Sequence, residues 1–208
     1  MKLGVIGNGD LSKQLLSFVN PSLHSDIVYF DDLHEINNQT HFPFLNWDNE
    51  RFSEYNFIIG LGYKNLLLKN KLINELQNLS RNLISFCHPS SFVNHSANVG
   101  QSVFIYPMCN VDKNVTLNDG VILNNSSIIS HDSYIGKCSY ISPGVTISGR
   151  VKIGENCFIG SGTTIANDVV IGNNVIVGIG SVVTSSIPNN SSVIGNPLKV
   201  LNNPLILR

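Results

Sequence analysis

From residue 93 onward, one large aliphatic residue returns every six positions. The series begins Val93, Val99, Ile105, Val111 and Leu117 and runs on one phase through Ile129 and Ile147 to Val177 and Val183. Four residues after each stands a mostly small or β-branched residue, such as Ala97, Val103, Val115, Ser139, Thr163 or Ser181. The position directly after the aliphatic is often glycine, as at Gly136, Gly154, Gly160, Gly172 and Gly178. A helix needs apolar residues three and four apart, and a half-buried flat strand needs them two apart. A period of six instead describes short parallel strands separated by corners and stacked as a solenoid. The strict repeat stops near residue 188, so 188–200 is expected to cap the last coil.

The first eighty-odd residues follow a different pattern. KLGVIG is a short buried strand, and the spacing of Leu11, Leu15, Leu16 and Val19 predicts a helix over 10–19. A second strand is predicted over 26–32, a third over 56–62, a helix over 63–79 and a further strand over 83–89. Strand–helix alternation at this spacing implies a small parallel α/β lobe. We therefore expect a lobe over 1–88, a hinge at Pro89–Ser91, and a solenoid over 91–200 with its cap reaching 208.

Composition narrows the function. The chain has 208 residues and a formal net charge of −1, which gives no reason to expect a nucleic-acid partner. No apolar run approaches a membrane span, and the opening MKLGVIGNGD lacks the order of a signal peptide, so a cytoplasmic setting is expected. The four cysteines, Cys87, Cys109, Cys138 and Cys157, show no C-x-x-C pairing, which argues against zinc. Within the repeat only His95 and His131 offer imidazoles, and a metal site would normally want three.

Two stretches carry candidate chemistry. In 4-GVIGNGDLSK-13 a glycine turn joins a strand to a helix, and the N–H groups at such a helix start can bind phosphate. The G-x-x-G-x-G spacing is an incomplete dinucleotide fingerprint, and such turns also serve folding alone. Asp31 and Asp32 follow the second strand, where an acid would meet a ribose, or where a plain solvated turn would lie. The other stretch is 130-SHD-132. His131 stands two residues after inward Ile129, so strand alternation turns it outward. Asp132 beside it is able to orient an imidazole or stabilise its charged form.

The order of a truncated Rossmann-like lobe, the H-P-S segment His88–Ser90 and a hexapeptide solenoid carrying S-H-D resembles one family over nearly the whole chain. That family is the bacterial sugar acetyltransferases, which include the PglD-type and perosamine N-acetyltransferases and the NeuD-type sialic acid O-acetyltransferases. The resemblance implies a left-handed parallel β-helix whose coils contain three hexapeptides, with glycine tolerating the turns. It also implies a homotrimer with active sites between subunits. The small lobe would bind a nucleotide-linked amino sugar, with Gly7, Asn8 and Gly9 near the phosphates and Asp31 and Asp32 near the base or ribose. Gly62 and Lys64 would lie on the next strand-end loop. Many relatives have a Gly-His-Gly turn where this chain reads 10-DLS-12, a departure that bears on the phosphate site.

The resemblance further makes His131 the general base, Asp132 its partner, and Asn124, seven residues earlier, part of the catalytic set. Acetyl-CoA would be the cosubstrate. Gly149, eighteen residues after His131, would offer a backbone donor to the acyl oxygen, and Ser161, Gly178, Ile179 and Gly180 would lie along the CoA arm. An amine attacking a thioester must lose a proton, and a positioned imidazole is suited to accept it near neutral pH. Two alternatives use the same fold: O-acetylation of a sugar, as in the sialic acid branch, or a non-catalytic binding solenoid. A cysteine nucleophile is the other chemical option, but Cys109 and Cys157 fall on inward positions and Cys138 on a corner without a nearby base.

Overall fold

The computed structural model describes residues 2–19, 26–32, 35–37 and 39–203. The chain divides into two compact units, Met1–Phe86 and Cys87–Arg208.

The first unit is a five-stranded parallel sheet with strand order β3-β2-β1-β4-β5. The strands are β1 (Lys2–Ile6), β2 (Asp26–Phe30), β3 (His41–Phe42), β4 (Asn56–Ile59) and β5 (Asn82–Leu83). Helices α1 (Asp10–Phe18) and α2 (Leu66–Asn78) bury Leu15 and Leu16, and Leu72, Ile73 and Leu76. Val5, Ile6, Phe57, Ile58 and Ile59 are all fully buried, as expected of strands covered on both faces. The last turn of β1 and the end of β4 close on α1 through Ser12, which is itself buried. Its Oγ donates to Gly7 O at 2.6 Å, and a Cβ at Gly60 would stand only 1.8 Å from that Oγ.

Two features differ from the sequence expectation. Strand β3 and the 3₁₀ helices Phe44–Asp48 and Glu50–Phe52 occupy a run with neither a two-residue nor a 3.6-residue period. Their aromatics drive the packing: Phe52 meets Phe30 edge-on at 4.9 Å and Phe42 at 5.1 Å. The strand expected over 83–89 is two strands, β5 in this sheet and Phe86–Cys87 at the edge of a solenoid sheet.

The second unit is a left-handed parallel β-helix of two-residue strands. Its three faces hold six strands from Phe92–Val93 to Val182–Val183, five from Asn98–Val99 to Val170–Ile171, and eight that include Phe104–Ile105 and Ile122–Leu123. Register advances by eighteen, so Ile129 pairs with Ile147 and Ile147 with Ile165. Each periodic aliphatic is the second residue of its strand, and from Ile105 to Val183 all are buried. Val99 stays exposed because its strand ends the five-stranded sheet.

The repeat glycines have a different role from the one expected. Gly136 and Gly154 are not among the positive-φ residues; the left-handed corner comes two positions later, at Cys138 and Asn156. A Cβ at Gly136 would stand 2.4 Å from the carbonyl carbon of Gly154, one coil on. Glycine is needed there for close stacking of backbones. The Pro89–Ser91 segment, the expected hinge, stacks on the solenoid as its first corner. Ser90 Oγ accepts from Met108 N at 3.1 Å, and Ser91 Oγ accepts from Cys109 N at 2.9 Å, both eighteen residues on. At the other end Ser192–Ile194 pairs in parallel with Ile176–Val177 and antiparallel with Lys199–Val200, which closes the stack. The end of the expected cap, 204–208, lies outside the described residues.

Candidate active site

His131 lies on the edge between the six-stranded and five-stranded faces, after strand Ile128–Ile129. Ile129 is fully buried and anchors the strand, so the imidazole two residues on emerges at the corner with its side chain 37% exposed. Asp132 adopts φ 59°, a left-handed conformation that short polar side chains tolerate. The corner brings its Oδ2 to 2.7 Å from His131 Nδ1. The amide of Asn114, one coil earlier, donates to Asp132 Oδ1 at 2.9 Å. First that amide and then His131 hold the Asp132 carboxyl below its ordinary value. An ionised carboxylate only accepts, so Nδ1 carries the proton, and in the neutral ring Nε2 then presents its lone pair.

That Nε2 lies over Gly149. A Cβ at Gly149 would stand 2.6 Å from Nε2 and 2.7 Å from Cε1, so a larger residue would displace the ring. The Gly149 N–H, expected to serve the acyl oxygen, donates to Asn167 Oδ1 at 2.9 Å. Glycine at 149 makes room for the base; its amide is already engaged.

Asn124 is not brought to His131. It lies on the preceding edge, between the eight-stranded and six-stranded faces, with its side chain buried. Its Nδ2 donates to Tyr140 Oη at 2.8 Å, and its Oδ1 accepts from Asn125 N at 2.8 Å. It braces a corner. Ser161, Ile179 and Gly180 share that same edge, with Gly180 N donating to Ser161 O at 2.8 Å. Ser161 and Gly180 are exposed, and Ile179 is 68% exposed on the corner. Gly178 is buried, and a Cβ there would meet Ile194 at 2.6 Å. The expected CoA residues and the expected base therefore stand on different edges of one chain's prism.

The three cysteines of the repeat interior are shut away from substrate. Cys109 and Cys157 are buried, and desolvation pushes Cys157 up to about 11 and also raises Cys109. Cys138 is fully buried at its corner. Among the described residues no group of three His, Cys, Asp or Glu is arranged to hold a metal ion.

In the small lobe the turn after β1 has Gly7 at φ 84°, with its N–H donating to Phe30 O at 2.8 Å. Asn8 N–H donates to Asp31 Oδ2 at 2.7 Å, and Asp31 is only 6% exposed. Asp31 is thus tied to the glycine turn rather than open to solvent. Asp32 Oδ1 accepts from Phe44 N at 2.8 Å and fastens the aromatic segment. Gly9 caps α1 without a side-chain bond, and Asp10 opens the helix. Gly62 precedes the 3₁₀ helix Tyr63–Asn65, on which Lys64 is exposed. Asn114, Asn167 and Ser12 are the residues that sequence reasoning missed. The first two stand one coil before Asp132 and one coil after Gly149, a spacing that the eighteen-residue register makes searchable.

Residues 150–185 match the bacterial transferase hexapeptide model of six repeats. A comparison with curated protein sequences finds no significant match. Solved structures match over almost the full length. The acetyltransferase domain of PglB from Neisseria gonorrhoeae, in complex with acetyl coenzyme A, is 29% identical with a TM-score of 0.85, covering 96% of this chain and 98% of that one. The chain thus resembles hexapeptide-repeat acetyltransferases in repeat and fold. A histidine-to-asparagine variant of perosamine N-acetyltransferase from Caulobacter crescentus, in complex with CoA and GDP-perosamine, shares the fold of this chain. It is 22% identical, with a TM-score of 0.87 and 98% coverage of both chains. WeeI from Acinetobacter baumannii is 20% identical, with a TM-score of 0.67, covering 97% of this chain and 100% of that one. No helix among the described residues is long and apolar enough to cross a membrane.

Proposed function

We propose that this protein is an acetyltransferase that moves the acetyl group of acetyl-CoA onto the amine of a nucleotide-linked amino sugar for surface glycan synthesis, with His131 as general base. The observation that carries the reading is the His131–Asp132 pair, whose Nε2 lone pair faces outward over Gly149. The bound CoA and GDP-perosamine of the Caulobacter enzyme support the choice of substrates. The amine nitrogen attacks the thioester carbonyl while Nε2 takes its proton. The tetrahedral intermediate then expels the CoA thiolate, and the imidazolium returns the proton to sulfur. Asp132 stabilises the imidazolium through Nδ1.

The working form is a cytoplasmic homotrimer. His131 and the Ser161–Gly180 edge flank one face, whose outward residues are Phe92, Asn110, Ile128, Thr146, Thr164 and Val182, none of them charged. If two copies pack across that face, the base of one subunit is completed by the CoA edge of the next. The small lobe takes the nucleotide through the Gly7–Gly9 turn and the Gly62–Lys64 loop, with Asp31 and Asp32 shaping the pocket from behind.

The test is to incubate the protein with acetyl-CoA and UDP-, dTDP- or GDP-linked amino sugars, following release of the CoA thiol and the mass and linkage of the product. Amide formation on one nucleotide-linked amino sugar is expected. Ester formation, or transfer only to free sugars, would overturn the N-acetyl assignment. Absence of CoA binding would leave a non-catalytic solenoid.

A further inference from the structure

Asp132 can fix the tautomer of His131 only if its carboxylate is itself held, and the holding group lies one coil away. Asn114 and Asp132 occupy equivalent left-handed corners, with φ 57° and 59°. Asn114 Nδ2 donates to Oδ1 at 2.9 Å while His131 Nδ1 faces Oδ2 at 2.7 Å. With one oxygen tied, the carboxylate plane is set and the other oxygen is presented to the imidazole. Asn114 is fixed in turn, its N–H donating to Ser96 Oγ at 2.9 Å. On the other side of Asp132 stands Arg150, a competitor for the same carboxylate. Its Nε and Nη2 are engaged by Asp168 at 2.7 and 2.8 Å, so Asp132 is left to Asn114 and His131.

We propose that Asn114 is a positioning residue for acetyl transfer, which holds His131 in the Nδ1–H tautomer by orienting Asp132. This rests on reading His131 as the base. Amide links between stacked corners also occur where no chemistry is expected, as from Asn174 Nδ2 to Asn190 Oδ1 at 3.0 Å. What sets Asn114 apart is a charged partner that itself grips a histidine. A brace without further purpose would leave the imidazole unchanged when cut, and the test uses that difference.

Asn114→Gly removes the amide at a backbone conformation that glycine accepts freely, and Asn114→Asp keeps the shape but replaces the donor by a repelling carboxylate. Imidazole ¹⁵N shifts of His131, assigned against His131→Asn, are measured for the full chain above the histidine titration. The wild type is expected to show Nδ1–H, and both variants a mixture of tautomers, as is Asp132→Asn. In both Asn114 variants kcat should fall about three- to tenfold, the worth of one hydrogen bond, with KM for acetyl-CoA unchanged. An unchanged Nδ1–H tautomer in both variants, or Nε2–H in the wild type, would overturn the proposal. Should the general-base reading itself fail, His131→Asn would keep its activity, while the tautomer comparison would still decide what Asn114 does.

Discussion

A glycine and an aspartate flank His131 in space, and each restricts it differently. Asp132 fixes one ring nitrogen, and Gly149 leaves room for the other. Gly149→Ala would put a methyl 2.6 Å from Nε2, so the ring must move. Since misplacement of a reacting group by about 1 Å can cost roughly a hundredfold, kcat should fall by up to about that factor while the melting temperature changes little. Steady-state kinetics beside a thermal melt check this. Because the Asp132 carboxyl is held below its usual value, it stays ionised through mildly acidic pH. The sign follows: the attraction it supplies is present above the ordinary carboxylate range and is lost only as pH falls through its lowered folded value. A rise of kcat/KM with pH near neutrality therefore does not belong to Asp132. It should persist in Asp132→Asn, which leaves the imidazole in place. Thiol chemistry gives a further check, because only Cys87 is exposed among the four cysteines. An aromatic disulfide reagent should titrate one thiol in the native protein and four after denaturation, and three fast-reacting native thiols would contradict the burial described above.

At the scale of elements, the solenoid was legible because the six-residue period is geometric: each in-phase aliphatic must fill the prism or the coil cannot close. Ile153 is fully buried between stacked neighbours, so Ile153→Ala should cost about 2–5 kcal/mol in chemical denaturation. Gly136→Ala should cost about 1–3 kcal/mol although no side chain is lost, because the added methyl meets backbone. If glycine at 136 served only turn flexibility, that change would be nearly neutral, since its φ is not positive. The aromatic segment around Phe44–Phe52 was not legible, for 3₁₀ turns of three to five residues are too short to show a period. Nor were the partners of Asp31 and Asn124 legible. Asp31 reaches Asn8, 23 positions away, and Asn124 reaches Tyr140, 16 positions away, and neither spacing is a multiple of the repeat. The resemblance placed Asp31 near a base or ribose and Asn124 in the catalytic set; in the fold Asp31 bonds to a turn and Asn124 to a corner. The S-H-D edge was legible because its decisive contact is between neighbours in sequence.

For the whole molecule, the proposed function has activity depend on assembly, because the proposed base and the expected CoA residues stand on separate edges. Sedimentation equilibrium should give a trimer, and Ile128→Arg, on the uncharged face beside the His131 edge, should yield monomers that have lost transfer. A fully active monomer would contradict a site shared between subunits. The claim on which the rest depends is that His131 removes the proton from the acceptor amine, and kcat of His131→Ala across pH reads it most directly. The variant should melt and assemble as the wild type does, since Ile129, Ser133 and Ile135 still fill the coil. Its kcat should fall by about 10²–10⁴, with KM for acetyl-CoA little changed and the enzyme's own limb gone from the pH profile. Near-normal turnover with the wild-type pH profile would contradict it and make the histidine an ordinary corner residue.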